Sequence, residues 1–149
     1  MMYDAVFTII GTQMMDGERD TIESVTVGRF GERNGEWLLC YEEPESFGMA
    51  GVQTKIYVKQ DGTVSVLRDG AAASRLVIQQ GKKNICFYPA PQGQLALETV
   101  GETVENRLNE TGGRFFAGYI LASQGRLLSQ NTIEIRVARQ EDKKTCQLS

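Results

Sequence analysis

Apolar residues recurring at every second position, broken at short intervals by glycine-bearing dipeptides, constrain this chain more than any other feature. Val52, Thr54, Ile56 and Val58 form one such set, and so do Val64, Val66 and Arg68. Phe115, Ala117, Tyr119 and Leu121 form another, followed by Ile133, Ile135 and Val137. Successive side chains of an extended strand point to opposite faces, so each set lies on one face of a sheet with one side buried and the other wet. The breaks fall at Asp16-Gly17, Asn34-Gly35, Asp61-Gly62, Asp69-Gly70, Gln80-Gly81, Gln92-Gly93, Gly112-Gly113 and Gln124-Gly125. Glycine there supplies the positive φ of tight hairpin turns, and Asn34-Gly35 and Asp61-Gly62 carry the strongest signal.

Between the breaks the pattern predicts strands over 3–13, 20–31, 36–43, 51–60, 63–69, 74–80, 84–89, 94–100, 103–110, 114–123 and 129–139. Helical periodicity is scarce, so the expected class is all-β with little helix. An open meander of about 8–10 hairpin-linked strands would expose two long unpaired edges, and closing it removes both. The expectation is therefore an antiparallel up-and-down barrel of the calycin or lipocalin kind, with a two-sheet sandwich as the alternative. At 149 residues, one domain over 1–149 is expected, with the polar end 140–149 frayed.

Composition narrows function. The chain has no histidine, which removes the commonest general base and the commonest metal ligand, and no metal or cofactor is expected. Cys40, Cys86 and Cys146 are odd in number and too widely spaced for a metal clip, so they read as buried or free thiols in a reducing compartment. Residues 1–13 carry Asp4 but neither Lys nor Arg, and they alternate rather than forming the apolar block of a signal peptide. Nothing approaches the roughly 20 apolar residues of a spanning helix. A cytoplasmic location is expected. A net charge of −3 disfavours nucleic acid and an anionic membrane as partners.

The densest polar stretch is Tyr41-Glu42-Glu43-Pro44-Glu45. Adjacent carboxylates on a strand point to opposite faces, so Glu42 and Glu43 do not form a catalytic pair, and the stretch reads first as a solvated acidic turn. Parity with Trp37, Leu39 and Tyr41 makes Glu43 the inward one of the two. Arg68 follows Val64 and Val66 in the inward phase. A long basic side chain at a strand end often carries its charge out to the rim. Turned inward it needs a carboxylate, and Glu43 is then its partner, with Tyr41 and Tyr88 as hydrogen-bonding neighbours. Arg75 follows the same reasoning with less support. The aromatics, among them Phe7, Phe30, Trp37, Tyr57, Phe87 and Phe115, read first as core filling and second as the lining of a ligand cavity. Of Phe115 and Phe116, one must face outward and offers a partner surface.

Taken as an ordered set, these residues resemble the YwiB-like family of small bacterial calycin-type barrels of unknown function. The likeness runs from Val6, Thr8, Ile10 and Gln13 through Tyr41-Glu42-Glu43, Glu45, Gly48-Met49, Gly51 and Thr54. It continues with Val66, Arg68, Gly70, Tyr88-Pro89, Gly93 and Thr99 and ends on Gly113 to Tyr119. Phe47 and Ala90 stand where the family tends to carry Thr. The resemblance implies a closed lipocalin-like barrel and no established activity, and it places Tyr41, Glu43, Arg68 and Tyr88 at motif positions as the best candidates for a ligand-binding lining.

Three function classes follow. The first is a barrel binding a small apolar or amphipathic ligand, with Arg68 and Tyr88 selecting an acidic head group. The second is a solid barrel acting as an interaction module, including pairing with a second copy as a homodimer. The third is an enzyme using Glu43 or Glu45 as acid or base, which ranks last because no base and nucleophile stand in a recognisable constellation.

Overall fold

Each alternating run becomes a strand in the computed structural model of the chain, which describes residues 2–43, 51–69, 74–91 and 93–140, without the side chains of 88–90 and 94. In chain order the strands are β1 (Met2–Met15), β2 (Glu18–Arg33), β3 (Glu36–Glu42), β4 (Gln53–Val58), β5 (Val64–Arg68), β6 (Ser74–Ile78), β7 (Lys83–Ala90), β8 (Gly93–Asn109), β9 (Gly112–Ser123) and β10 (Arg126–Arg139). Every neighbour in sequence is an antiparallel neighbour in space, and β1 pairs with both β2 and β10. The result is a closed ten-stranded barrel rather than a sandwich. Among the described residues there is no helix, hence none long and apolar enough to cross a membrane.

The turns show why these dipeptides end strands. Asn34 and Gly35 have φ of 56° and 81°, and Asp16-Gly17 and Gln124-Gly125 share that doubly positive geometry, whose twist matches the flanking strands. Asp61-Gly62 differs, because only Gly62 is left-handed while the Asp61 carboxylate accepts the Thr63 N–H at 2.9 Å. Gly112-Gly113 opens β9, and the turn itself falls on Glu110 and Thr111. Gly70 and Gln92 lie outside the described residues, as do 141–149 of the expected frayed tail. Its first residue, Gln140, is tied by an N–H donated to the Asp4 carbonyl at 2.8 Å.

The separate strands expected over 94–100 and 103–110 are one strand, β8, whose register shifts between Gly101 and Thr103. The break in the pattern has a tertiary cause. Gly81 donates its N–H to the Gly101 carbonyl at 2.8 Å, and Gly101 donates to the Lys82 carbonyl at 3.1 Å. A Cβ on Gly101 would stand 2.2 Å from the Gln79 carbonyl, so this glycine admits a neighbouring turn instead of making one.

Inward residues from all ten strands form one core, with Phe7, Phe30, Leu39, Ile56, Phe115 and Ile135 fully buried. Each such side chain contributes roughly 1.5–3 kcal/mol on transfer from water. Phe7 meets Tyr41 edge-on at 5.7 Å between ring centres, and Trp37 stacks on Phe30 at 6.2 Å. Core filling is thus the role of most of the aromatics. Phe87, Tyr57 and Phe116 are exceptions, lying outside the core on outer strand positions.

Strand heights are unequal. β1 and β2 pair over their whole lengths, from Met2↔Gly31 to Met15↔Glu18, whereas β3 pairs with β2 only along Gly28–Arg33. The β1–β2 hairpin therefore rises past the end of β3, and with β9 and β10 it makes a tall wall at the end of the barrel where β3 and β5 stop. We call this end the mouth.

Gly28 faces Tyr41 across β2 and β3, and a Cβ there would come within 2.3 Å of the Cys40 carbonyl and 2.7 Å of the Phe7 ring. Gly28→Ala is expected to lose about 1–3 kcal/mol in urea denaturation, as overpacked sites do. Gly118→Ala, whose nearest neighbour would be Thr132 at 3.7 Å, is expected to leave the midpoint unchanged or raise it.

Candidate functional site

Cross-strand register builds a polar row inside the mouth. Tyr41 on β3 stands opposite Thr54 on β4, and Thr54 stands opposite Arg68 on β5, so the three share the inner face. Glu43, two residues beyond Tyr41, falls on that face too, held by an N–H donated to the Val52 carbonyl at 2.7 Å. Thr54 Oγ1 donates to Glu43 Oε1 at 2.8 Å, and Arg68 Nε lies 3.6 Å from the same oxygen. The Glu43 side chain is 1% exposed and that of Arg68 20%. Of the two sequence alternatives for Arg68, the structure takes the inward one. Glu43 is correspondingly no part of a solvated turn, while Glu42 is exposed as parity requires. Glu45 and Phe47 lie outside the described residues.

Burial pushes the Tyr41 phenol well above its ordinary value, and the negative charge of Glu43 pushes it further, with Arg68 opposing. Burial also raises Tyr119, again against Arg68. Both phenols therefore stay neutral beside a cation and a carboxylate. A charge taken from water needs a counter-charge and hydrogen bonds, and here the first is present while the second is incomplete, Thr54 serving only Oε1 of Glu43. Neither Arg68 Nε nor Glu43 Oε2 has a hydrogen-bond partner among the described residues. Glu43 balances the guanidinium, whose five-donor fork is only partly used among the described residues.

Arg68 also borders two open spaces. One is a cavity of about 570 Å³ at the mouth, walled by Gly11 and Gln13 of β1, Asp20 and Ile22 of β2, Tyr119 of β9, and Asn131 and Ile133 of β10. The other is a cleft of about 520 Å³ at the junction of β6 and β7. The structure thus brings Tyr41, Glu43 and Arg68 together. Tyr88 sits on β7 opposite Leu95, but its side chain, like that of Ala90, lies outside the described residues.

Arg75 corrects an expectation. Ser74 stands opposite Arg68, so the inward positions of β6 are Ser74, Leu76 and Ile78, and Arg75 is exposed on the outer face. Sequence reasoning also passed over Thr54 and Tyr119 as site residues. Thr54 was visible as the one polar member of an inward set, yet its place beside Glu43 depends on a long connection whose register no turn rule supplies.

The two described thiols, Cys40 and Cys86, are held toward the neutral form. Burial raises the pKa of Cys40 and of Cys86, and Cys86 Sγ donates to the Leu97 carbonyl at 3.6 Å. Cys146 lies outside the described residues. On the outer wall Phe116 is half-buried, with the Arg114 guanidinium 5.4 Å above its ring. Arg114 donates to Glu134 at 2.8 Å and to Glu105 at 3.2 Å, and Arg136 donates to Glu134 at 2.9 Å. This ladder covers the apolar ring that the Phe115-Phe116 pair turned outward.

The buried pair predicts a double-mutant outcome. Arg68→Met leaves the Glu43 carboxylate uncompensated and is expected to cost about 3–5 kcal/mol in urea denaturation. Adding Glu43→Gln to it recovers more than half of that loss. The outer ladder predicts a pH effect, since hydrogen bonding from Arg114 holds the Glu134 carboxyl below the ordinary glutamate value. A depressed acid stabilises above its unfolded-state pKa and ceases to do so as pH falls through its folded-state pKa. Glu134→Gln is therefore expected to be less stable than the parent at pH 7, by about 1 kcal/mol or less. That gap closes as the pH is lowered through and below the carboxylate range.

A family model described as a domain of unknown function, DUF1934, matches residues 7–135, a span containing every strand of this polar row. The uncharacterized beta-barrel protein YwiB of Bacillus subtilis is 28% identical over 104 residues, covering 70% of this chain and 71% of YwiB. The crystal structure of the ywiB protein from Bacillus subtilis is similar with a TM-score of 0.80 at 22% identity, over 94% of each chain. The structural likeness confirms the closed barrel.

Proposed function

The chain belongs to the DUF1934 family, whose function is unknown, and for this member we propose binding of a small amphipathic molecule whose acidic head group meets Arg68 at the mouth. One observation carries the reading. The Arg68 guanidinium is charge-balanced by Glu43, whose Oε1 lies 3.6 Å from Nε, and Arg68 forms part of the wall of the 570 Å³ cavity. Small-ligand pockets typically span roughly 300–1,000 Å³, and this cavity falls in that range. A carboxylate suits a guanidinium better than a neutral group does, because two parallel N–H···O bonds fix its orientation. The overall charge is −3, so attraction of an anion has to come from this local cation. The filled core keeps the ligand out of the length of the barrel.

Native mass spectrometry with octanoate and with octanol tests the reading. A one-to-one octanoate adduct is expected, weakened at least tenfold by Arg68→Lys, which keeps a charge near Glu43 but loses the fork. Octanol is expected to give no comparable adduct. Absence of the octanoate adduct, or its survival undiminished in Arg68→Lys, overturns the reading. A second reading, pairing with another copy, is favoured by Val25 and Val27, two strongly exposed residues on the outer face of β2. A dimer in the same spectra that Val27→Glu returns to monomer would support it.

A further inference from the structure

The seam between β6 and β7 departs from the rest of the barrel. β5 pairs with β6 from Val64↔Ile78 through Arg68↔Ser74, yet among the described residues β6 pairs with β7 only at Arg75↔Phe87. The cause lies on β8. Thr99 Oγ1 donates to the Val77 carbonyl at 2.8 Å and lies 3.4 Å from the Asn84 carbonyl, so a side-chain hydroxyl stands where a backbone rung would. The connecting turn bonds to Gly101 instead of drawing the two strands together. The strands are splayed, and the 520 Å³ cleft opens between them.

The chemistry of the cleft complements that of the mouth cavity. Its lining is apolar along Val77, Ile85, Cys86 and Phe87, it carries the cations Arg68 and Arg75, and among the described residues it includes no carboxylate. Ile85 is 60% exposed and Phe87 51%, although each belongs to the residue types that strands usually cover. Arg75 has no carboxylate partner among the described residues, whereas neighbouring Lys83 pairs with Glu98 at 3.0 Å. The mouth cavity, by contrast, is lined mainly by polar side chains, with Ile22 and Ile133 as its apolar members. Arg68 belongs to both linings.

We propose that the cleft holds the tail of the ligand: the head group sits on Arg68, the hydrocarbon chain lies along Val77, Ile85 and Phe87 on the outside of the barrel, and the ligand class is a free unbranched aliphatic monocarboxylate. This rests on the reading of Arg68 as the head-group anchor. The two arginines select the anion, and the splayed seam supplies the apolar track that the filled core denies.

Calorimetric titration of the full chain with acetate, hexanoate, octanoate and decanoate tests it. Affinity is expected to rise about fourfold per methylene while the chain is covered. Ile85→Glu and Phe87→Glu alter exposed outer positions, so unchanged urea midpoints accompany an expected loss of at least tenfold for octanoate and a flattened chain-length series. Ile22→Ala, which trims one apolar member of the mouth wall and adds no charge beside Arg68, is expected to weaken octanoate binding less than Phe87→Glu does. Greater loss in Ile22→Ala than in Phe87→Glu overturns the inference by placing the tail in the mouth. Failure of octanoate to bind the parent chain overturns the head-group reading itself. A Phe87→Glu variant that alters only the oligomeric state, or only binding to phosphatidylcholine vesicles, overturns the inference in favour of a second copy or a bilayer.

Discussion

Everything in this molecule depends on the double pairing of β1. It bonds to β2 along its whole length and to β10 from Ala5↔Arg139 to Met14↔Gln130, so the first strand of a ten-strand meander is also the partner of the last. Closure removes both free edges and turns one face of every strand toward a common axis. Once that axis exists, an inward residue must either fill space or be satisfied electrostatically. Phe7, Phe30 and Phe115 do the first, and Glu43, Thr54 and Arg68 do the second.

The placement of the polar row follows from the unequal lengths of the strands. β3 and β5 end where β1, β2, β9 and β10 continue, so the inward residues at those ends border a space that the core no longer fills. Arg68 can thus be buried along its stem, balanced by Glu43, and still reach the cavity wall. A buried pair of this kind is poor evidence for stability, because desolvation consumes much of the attraction. It holds a guanidinium at the mouth beside two neutral phenols.

Thr99 and Gly101 show how one strand can shape its neighbours from a distance. Both sit on β8, and both take hydrogen bonds or space that a regular β6–β7 hairpin would have used. In the sequence, Gly101 looks like a break between two strands. In the fold it is the point where a continuous strand yields to the turn of another hairpin. Phe87 faces out by alternation with inward Cys86, and the splayed seam leaves it beside a cleft.

The sequence by itself determined what depends on nearest neighbours along the chain. Period-two alternation decided which residues of a strand share a face, so Glu43 inward and Glu42 outward were legible, and one of Phe115 and Phe116 had to face out. Turn chemistry decided the hairpins at Asp16-Gly17, Asn34-Gly35 and Gln124-Gly125, because positive φ is a local steric property. The tertiary structure alone decided which side chains meet across strands joined by long connections, hence Thr54 and Arg68 beside Glu43. It also decided the phase of Arg75 and the location of the open spaces. Those outcomes are set by cross-strand register and by how completely the inward volumes fill the barrel, and neither quantity exists until the strands have closed.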